Sequence, residues 1–436
     1  MTPPRRVLIL CYFYPPLAGG GVHRVLGFTR HLPRHGWSCT VVCASSADYW
    51  VRDPTLEASV PEATEVLRVG GGSALSAWLR LRGGRGQGQR SGRVFGGLRR
   101  LSDWWLLPDS YIGWAARAGR AAAARIARGD IDVVLSSSPP DSVHLAALPI
   151  RRRTAIPWVA DFRDPWIGLT FRQPPTAWHR ARQRALERAV LEGCDLALTA
   201  SRAHAERLAG AGPRRVVHLP NGYEPGPGVA EGGATDRVPR DRFEIAFTGT
   251  LARMPDAEVF LEALHEVLAR RPEARRRLRA TIAGPFETGY RDRGVALSLT
   301  GIVDFAGPLP HAETRRLQRA ADLLLLWKPR GIPTMVPGKL YEYLDAGRPL
   351  VALLEPGEEA ADLVQRGGGV VVRPGDRTAL AAEIERRYAA WREGGGAPAA
   401  PAPPPAWLAE HTRARLAARL ATLLDELVAA PRSARA

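Results

Sequence analysis

"YFYPPLAGGGVHRVLGFTRHL", residues 12–32, joins two segments of different hydrophobic period. Overlapping its start, "RVLILCYF" (6–13) is continuously apolar, as a strand covered on both faces must be. After Gly19, Gly20 and Gly21 the positions Val22, Val25, Leu26, Thr29 and Leu32 recur at helical spacing until Gly36. Strand, glycine turn and helix in that order open a parallel α/β sheet. Such a turn also gathers backbone N–H groups and a helix N-terminus at one point, where an anion fits because no Cβ obstructs its approach. A tight turn with no ligand is the competing reading. A dinucleotide fingerprint would need a third glycine where Arg24 stands and an acidic residue after "SCTVVCA" (38–44), where serines follow, so nicotinamide and flavin cofactors are disfavoured.

The alternation continues outward. "IDVVLSSS" (131–138), "PWVADF" (157–162), "LALTAS" (196–201) and "RRVVHLP" (214–220) read as strands, with helices between them such as 176–194. The pattern breaks at 223–242, rich in glycine, proline and charge, and then restarts. In the second half the strands are expected at 243–249, 279–284, 303–307, 323–327, 349–354 and 369–374, with helices at 256–271, 311–321, 338–346, 357–366 and 376–393. The expectation is an α/β protein of two Rossmann-like, doubly wound domains. They are 1–222 with a basic insertion near 70–100, a linker at 223–242, and 243–393. A Pro/Ala tether at 394–407 leads to a C-terminal helix within 408–436 that packs back on the body.

Composition narrows the function classes. Among 436 residues 45% are hydrophobic and 24% charged, the balance of a globular protein. Net charge is +17, and all but two of the 61 basic residues are arginine, the exceptions being Lys328 and Lys339. That basicity draws phosphates, acidic sugars or anionic headgroups, and no nucleic-acid reading motif accompanies it. Cys11, Cys39, Cys43 and Cys194 have no metal or redox spacing. No run approaches the ~18 apolar residues of a membrane span, and the short N-terminal apolar run lacks a cleavage site, so a cytoplasmic protein is expected, with peripheral contact at the inner membrane face as an option. Asp130 and Asp132 have Asp-x-Asp spacing but precede a strand, which suits a turn. His265-Glu266 is followed by Ala269 where a zinc helix needs histidine, so no metal is expected.

A second constellation is "LLLLWKPRGIPTMVPGKLYEYLDAGRPLVAL", residues 323–353. A strand ends in a loop with Pro329, Gly331, Pro333, Pro337 and Gly338, then a helix carries Lys339 in its first turn and Glu342 one turn on. Loop amides and one ammonium suit a diphosphate, while a carboxylate accepts from paired sugar hydroxyls. Six residues separate Gly331 from Gly338 and Leu340 follows the lysine, which excludes a Walker A loop. The alternative makes Lys339 a solvated helix start paired to Glu342.

Six ordered motifs, "CYFYPPLAGGGVHR" (11–24), "SSSPPDSVH" (136–144), "PWVADFRDPW" (157–166), "LPNGY" (219–223), "FTGTL" (247–251) and "GKLYEYLDAGRPLVAL" (338–353), together resemble retaining glycosyltransferases of family 4. The resemblance implies the glycosyltransferase B fold, two Rossmann-like domains facing across a cleft. It implies transfer from a nucleotide-diphosphate sugar, a co-substrate rather than a cofactor, to a hydroxyl acceptor, with retention and without a metal. For the donor it implies Gly20, Gly21, Gly249, Arg253, Pro337, Gly338, Lys339 and Glu342, with Glu342 as the second of a glutamate pair and Thr334 standing where the first belongs. A subset with a P-x-K-x-x-E-Y arrangement matches Pro337 to Tyr343. Asp161, Arg163 and Asp164 are the candidate catalytic group, orienting the acceptor hydroxyl or meeting leaving-group charge, and Ser137, Ser138 and His23 are acceptor candidates. A cell-envelope glycan, a lipid-linked intermediate or a small natural product all fit as acceptor. Two rivals remain: a non-catalytic partner of the same fold, suggested by Thr334, and a basic surface-binding protein.

Overall fold

The strand expected from the opening stretch is β1 (Arg5–Cys11), and it lies inside a parallel sheet rather than at its edge. The structure is a computed structural model that describes residues 4–45, 52–71, 104–170, 174–212, 215–226 and 241–430. From residue 72 the basic insertion near 70–100 lies outside the described residues, as does the 227–240 part of the linker. The chain divides into two compact units, one of residues 1–222 with 413–436 and the other of residues 223–412.

After β1 the first unit runs through α1 (Val22–His31), β2 (Trp37–Ala44), β3 (Glu65–Val69), α2 (Ile112–Ile126), β4 (Val133–Ser138) and α3 (Ser142–Arg153). It continues with β5 (Trp158–Phe162), α4 (Ala177–Gly193), β6 (Leu196–Thr199), α5 (Arg202–Ala209) and β7 (Val216–His218). All seven strands are parallel, in the order β3-β2-β1-β4-β5-β6-β7. Side chains of β1 alternate between two cores, as the period of a strand requires. Leu8 and Leu10 pack with Trp114 and Ala118 of α2 and Val143 and Ala147 of α3. Val7 and Ile9 face Val25 and Phe28 of α1.

The second unit holds β8 (Phe243–Thr248), α6 (Pro255–Arg270), β9 (Leu278–Ala283), α7 (Thr288–Ala296), β10 (Val303–Gly307) and α8 (His311–Ala320). Then follow β11 (Leu323–Trp327), α9 (Lys339–Ala346), β12 (Leu350–Leu353), α10 (Glu359–Arg366), β13 (Val370–Val372) and α11 (Arg377–Glu393). Its six strands are parallel in the order β10-β9-β8-β11-β12-β13. Phe243, Ile245 and Phe247 pack with Phe260 and Leu264 of α6 and with Ile384 and Tyr388 of α11. On the opposite face Ala246, Leu324 and Leu326 meet Leu340, Tyr343 and Leu344 of α9.

The Pro/Ala stretch expected as a tether is fastened to the second unit: Ala402 N donates to the Gly347 carbonyl at 2.8 Å, and Arg348 Nη1 to the Ala399 carbonyl at 2.8 Å. The last helix, α12 (Arg413–Ala429), sets Leu416, Leu420 and Leu424 into the core beneath β1 and α1 of the first unit. Burial raises the thiol pKa of Cys39 and Cys43 to about 12, so neither is a ready nucleophile. No described helix is long and apolar enough to cross a membrane.

Candidate functional site

Each sheet reverses its strand order once, between β1 and β4 in the first unit and between β8 and β11 in the second. The crevice outside the carboxyl ends of such strands is where open α/β sheets take ligands. The residues expected from the sequence gather at those two places.

In the first unit Arg24 of α1 reaches Asp161 at the end of β5. Its Nε donates to Oδ2 at 2.9 Å and its Nη2 to Oδ1 at 2.7 Å, while Nη1 donates to the Pro220 carbonyl at 2.8 Å. Ser137 Oγ adds a 2.7 Å hydrogen bond to the same Oδ2. Asp161 has no exposed surface, and its bidentate pairing offsets the cost of burying both charges. Asp161 is thus a positioning residue that ties α1 and β4 to β5, with its oxygens taken up inside the protein. Ser138 is buried and its Oγ has no hydrogen-bond partner.

The glycine turn holds a guanidinium close. A Cβ on Gly21 would come within 2.5 Å of Arg163 Nη1, so the side chain of Arg163 occupies the space that the glycine leaves. Arg163 Nη2 also donates to Asp164 Oδ2 at 3.0 Å, and both side chains stay partly exposed. Gly20 is exposed at the turn and His23 lies half-buried on α1. His144 is no general base here. Trp158 Nε1 donates to Ser136 Oγ at 2.8 Å, Ser136 meets His144 Nδ1 at 2.8 Å, and burial lowers the His144 pKa to about 3.

In the second unit Gly249, at φ +122°, follows β8, and Lys339 opens α9. A Cβ on Gly249 would lie 3.3 Å from Lys339 Nζ, and Nζ stands 3.5 Å from the centre of the Phe247 ring. Phe247 in turn stacks on Trp327 at 4.1 Å. Burial holds the ammonium's pKa well below that of an ordinary lysine, and among the described residues no carboxylate pairs with it. Lys339 is therefore not the solvated partner of Glu342. Glu342 Oε1 lies 3.1 Å from His311 Nε2, and Oε2 accepts from Gln318 Nε2 at 3.2 Å. Gln318 also donates to Thr248 Oγ1 at 3.0 Å, linking α8, α9 and the end of β8.

The loop before α9 is braced. Lys328 Nζ donates to the carbonyls of Ile332 at 2.6 Å and Met335 at 3.1 Å and pairs with Glu358 at 2.8 Å, while Arg330 Nε reaches Asp256 Oδ2 at 3.1 Å. Pro337 and Gly338 lead from it into α9, whose N-terminus has no side-chain cap. Arg253 is exposed after β8, with a left-handed backbone at φ +54° that is uncommon outside glycine. Arg24, His311 and Gln318 are the residues that sequence reasoning missed. His311 and Gln318 are seven apart on one helix, spacing that puts both on one face.

Comparisons with known proteins bear on the family and the fold. A family model described as glycosyltransferase family 4 matches residues 18–226, and one described as glycosyl transferases group 1 matches residues 242–389. No curated protein sequence matches. Among solved structures, sucrose-phosphate synthase from Thermosynechococcus elongatus aligns over 98% of this chain and 100% of its own, with a TM-score of 0.64 at 16% identity. WaaG, a glycosyltransferase involved in lipopolysaccharide biosynthesis, aligns over 96% and 99%, with a TM-score of 0.60 at 15% identity. HepE of Anabaena in complex with UDP-glucose aligns over 97% and 99%, with a TM-score of 0.59 at 14% identity.

Proposed function

Because the chain belongs to the group 1, family 4 glycosyltransferases with the glycosyltransferase B fold, we propose that its second unit holds a nucleotide-diphosphate sugar and its first unit a hydroxyl acceptor. Lys339 carries this reading. It is a half-buried ammonium seated on the Phe247 ring without an anionic partner among the described residues, set against the end of β8 at the strand-order reversal, where a diphosphate supplies the missing charge. The braced loop keeps it in place before the donor arrives. Glu342, steadied by His311 and Gln318, accepts from the ribose hydroxyls, and Gly249 lets the diphosphate approach the backbone. The UDP-glucose complex of HepE, on a similar fold, supports a nucleotide-sugar donor.

In the proposed reaction the acceptor oxygen bonds the anomeric carbon, the bond from that carbon to the diphosphate oxygen breaks, and the acceptor's proton passes to the leaving diphosphate. The stereochemistry is retention. Lys339 and the loop amides meet the leaving-group charge in place of a divalent ion. Arg163 and Asp164 contact the acceptor just beyond the end of β5, where Arg24 and Ser137 hold Asp161 in place.

The test is thermal stabilisation by a panel of UDP, GDP, ADP and dTDP sugars, followed by product NMR. At least one sugar nucleotide raises the Tm of the parent and none that of Lys339→Met, and turnover persists in EDTA with the donor's anomeric configuration kept. A parent stabilised by none of the panel overturns the donor assignment, and an inverted product overturns retention.

A further inference from the structure

Beyond the strand ends the first unit carries an apolar cavity of about 270 Å³ that neither the donor nor the acceptor assignment uses. Its walls include Leu107, Pro108, Trp166 and Leu169, with Arg180 and Arg184 of α4 at the rim. The segment from Trp104 to Pro108 lies along α4: Gln183 Nε2 donates to the Pro108 carbonyl at 2.7 Å, and His179 Nε2 lies 3.2 Å from the Trp104 carbonyl. Two indoles meet over His179 on this face, and Trp105 follows the first of them in the chain. Trp104 and Trp178 flank His179 edge-on at 5.3 and 5.0 Å, and Trp104, Trp105 and Trp178 are 53%, 81% and 64% exposed. Water is a poor solvent for large exposed apolar side chains gathered on one face. Among the described residues Arg180 and Arg184 have no ion-pair partner, and both are exposed.

We propose that this face docks on an anionic lipid bilayer, with the tryptophans seated at the headgroup level, the arginines on lipid phosphates and the cavity receiving an apolar chain. Indoles suit that depth because they join an apolar ring to an N–H donor, and guanidinium groups bind phosphate bidentately. Charge complementarity selects the partner: a basic rim on a chain of net charge +17 is drawn to an anionic surface. The loop that follows β5 also makes the inference bear on the substrate. It carries Arg163 and Asp164 at its start and Trp166 and Leu169 in the cavity wall, so an acceptor whose apolar chain lies in the cavity has its polar end beside the acceptor candidates. Resting on the acceptor assignment to the first unit, the inference names the acceptor class as lipid-linked.

The test is co-sedimentation of the full chain with vesicles of phosphatidylcholine alone and with phosphatidylglycerol added, across a salt series and without donor. The parent binds the anionic vesicles, retains part of that binding at high salt, and is quenched by lipids brominated in the acyl chain. The triple variant Trp104→Ser, Trp105→Ser, Trp178→Ser keeps the net charge and, being changed only at exposed positions, keeps its circular dichroism. Its partition falls about tenfold or more and the salt-resistant part vanishes. Arg180→Gln with Arg184→Gln weakens binding to anionic vesicles and leaves binding to neutral ones unchanged. Vesicle binding of the triple variant equal to that of the parent overturns the proposal, as does binding of the parent to RNA but not to vesicles. Donor stabilisation is read separately. Its survival alongside lost vesicle binding by the parent removes this inference alone, and its absence alongside vesicle binding removes the donor reading alone.

Discussion

At Lys339 a positive charge stands where burial disfavours it, and a pH dependence follows. In the free protein its pKa lies well below that of an ordinary lysine, and phosphate oxygens alongside would raise it again. Donor binding therefore takes up a proton between the two values, and affinity falls as pH rises through that window, by at most about tenfold per pH unit. Calorimetry in two buffers of different ionisation enthalpy checks this, and zero proton uptake with flat affinity at alkaline pH excludes Lys339 as the phosphate ligand. In the ligand-free protein the sign reverses: Lys339→Met removes a desolvated charge and keeps the aliphatic stem on Phe247, so the Tm rises, by about 2 °C. Asp161 behaves oppositely. Asp161→Ala strands Arg24 as an unpaired buried charge and costs about 3–5 kcal/mol in denaturant unfolding, whereas Arg24→Met combined with Asp161→Leu costs less than Asp161→Ala alone. A double variant as unstable as the sum of its parts contradicts the pairing. The sequence could register Arg24 only as a glycine missing from a fingerprint, because its partner lies 137 positions away.

Elements were the most legible level wherever an apolar run was buried on both faces. The six strands of the second unit were all expected, because runs such as "LLLLW" are apolar throughout. β3 was missed because "EVLRV" borders the sheet half-exposed and pairs on one side, which leaves it neither continuous nor alternating. The turns of the candidate site were legible as glycine but not as contact. Gly284 follows β9 at φ +140°, and a Cβ there would stand 2.1 Å from the Gly249 carbonyl oxygen. The close approach keeps the turn after β8 beside Lys339. Gly284→Ala strains its own backbone and displaces Gly249, at a cost of about 2 kcal/mol or more. Donor affinity falls with stability, whereas a distant destabilising change such as Leu420→Ala in α12 costs about 2–5 kcal/mol and spares affinity. Calorimetry beside urea unfolding separates the two, and an intact donor affinity in Gly284→Ala removes that turn from the site.

At the scale of the whole molecule each unit has its own sheet and cores, so the place where donor binding registers is itself informative. Doubly wound topology puts the ligand at the carboxyl ends of the strands flanking the reversal, which in the second unit are β8 and β11. Amides there open by local fluctuation, since they lie in loops rather than in the ladder, and a bound nucleotide sugar suppresses such openings. Hydrogen exchange with a saturating sugar nucleotide should thus slow in peptides spanning residues 248–254 and 328–345, which include Gly249, Arg253, Lys339 and Glu342. The strand amides of β9 and β12, already protected by pairing, should change little. In Lys339→Met the slowing should disappear from both peptides together, because one ligand bridges them. Protection confined to the first unit would move the donor to the turn at Gly20 and Gly21, and protection of only one of the two peptides would mean that β8 and β11 do not share a ligand.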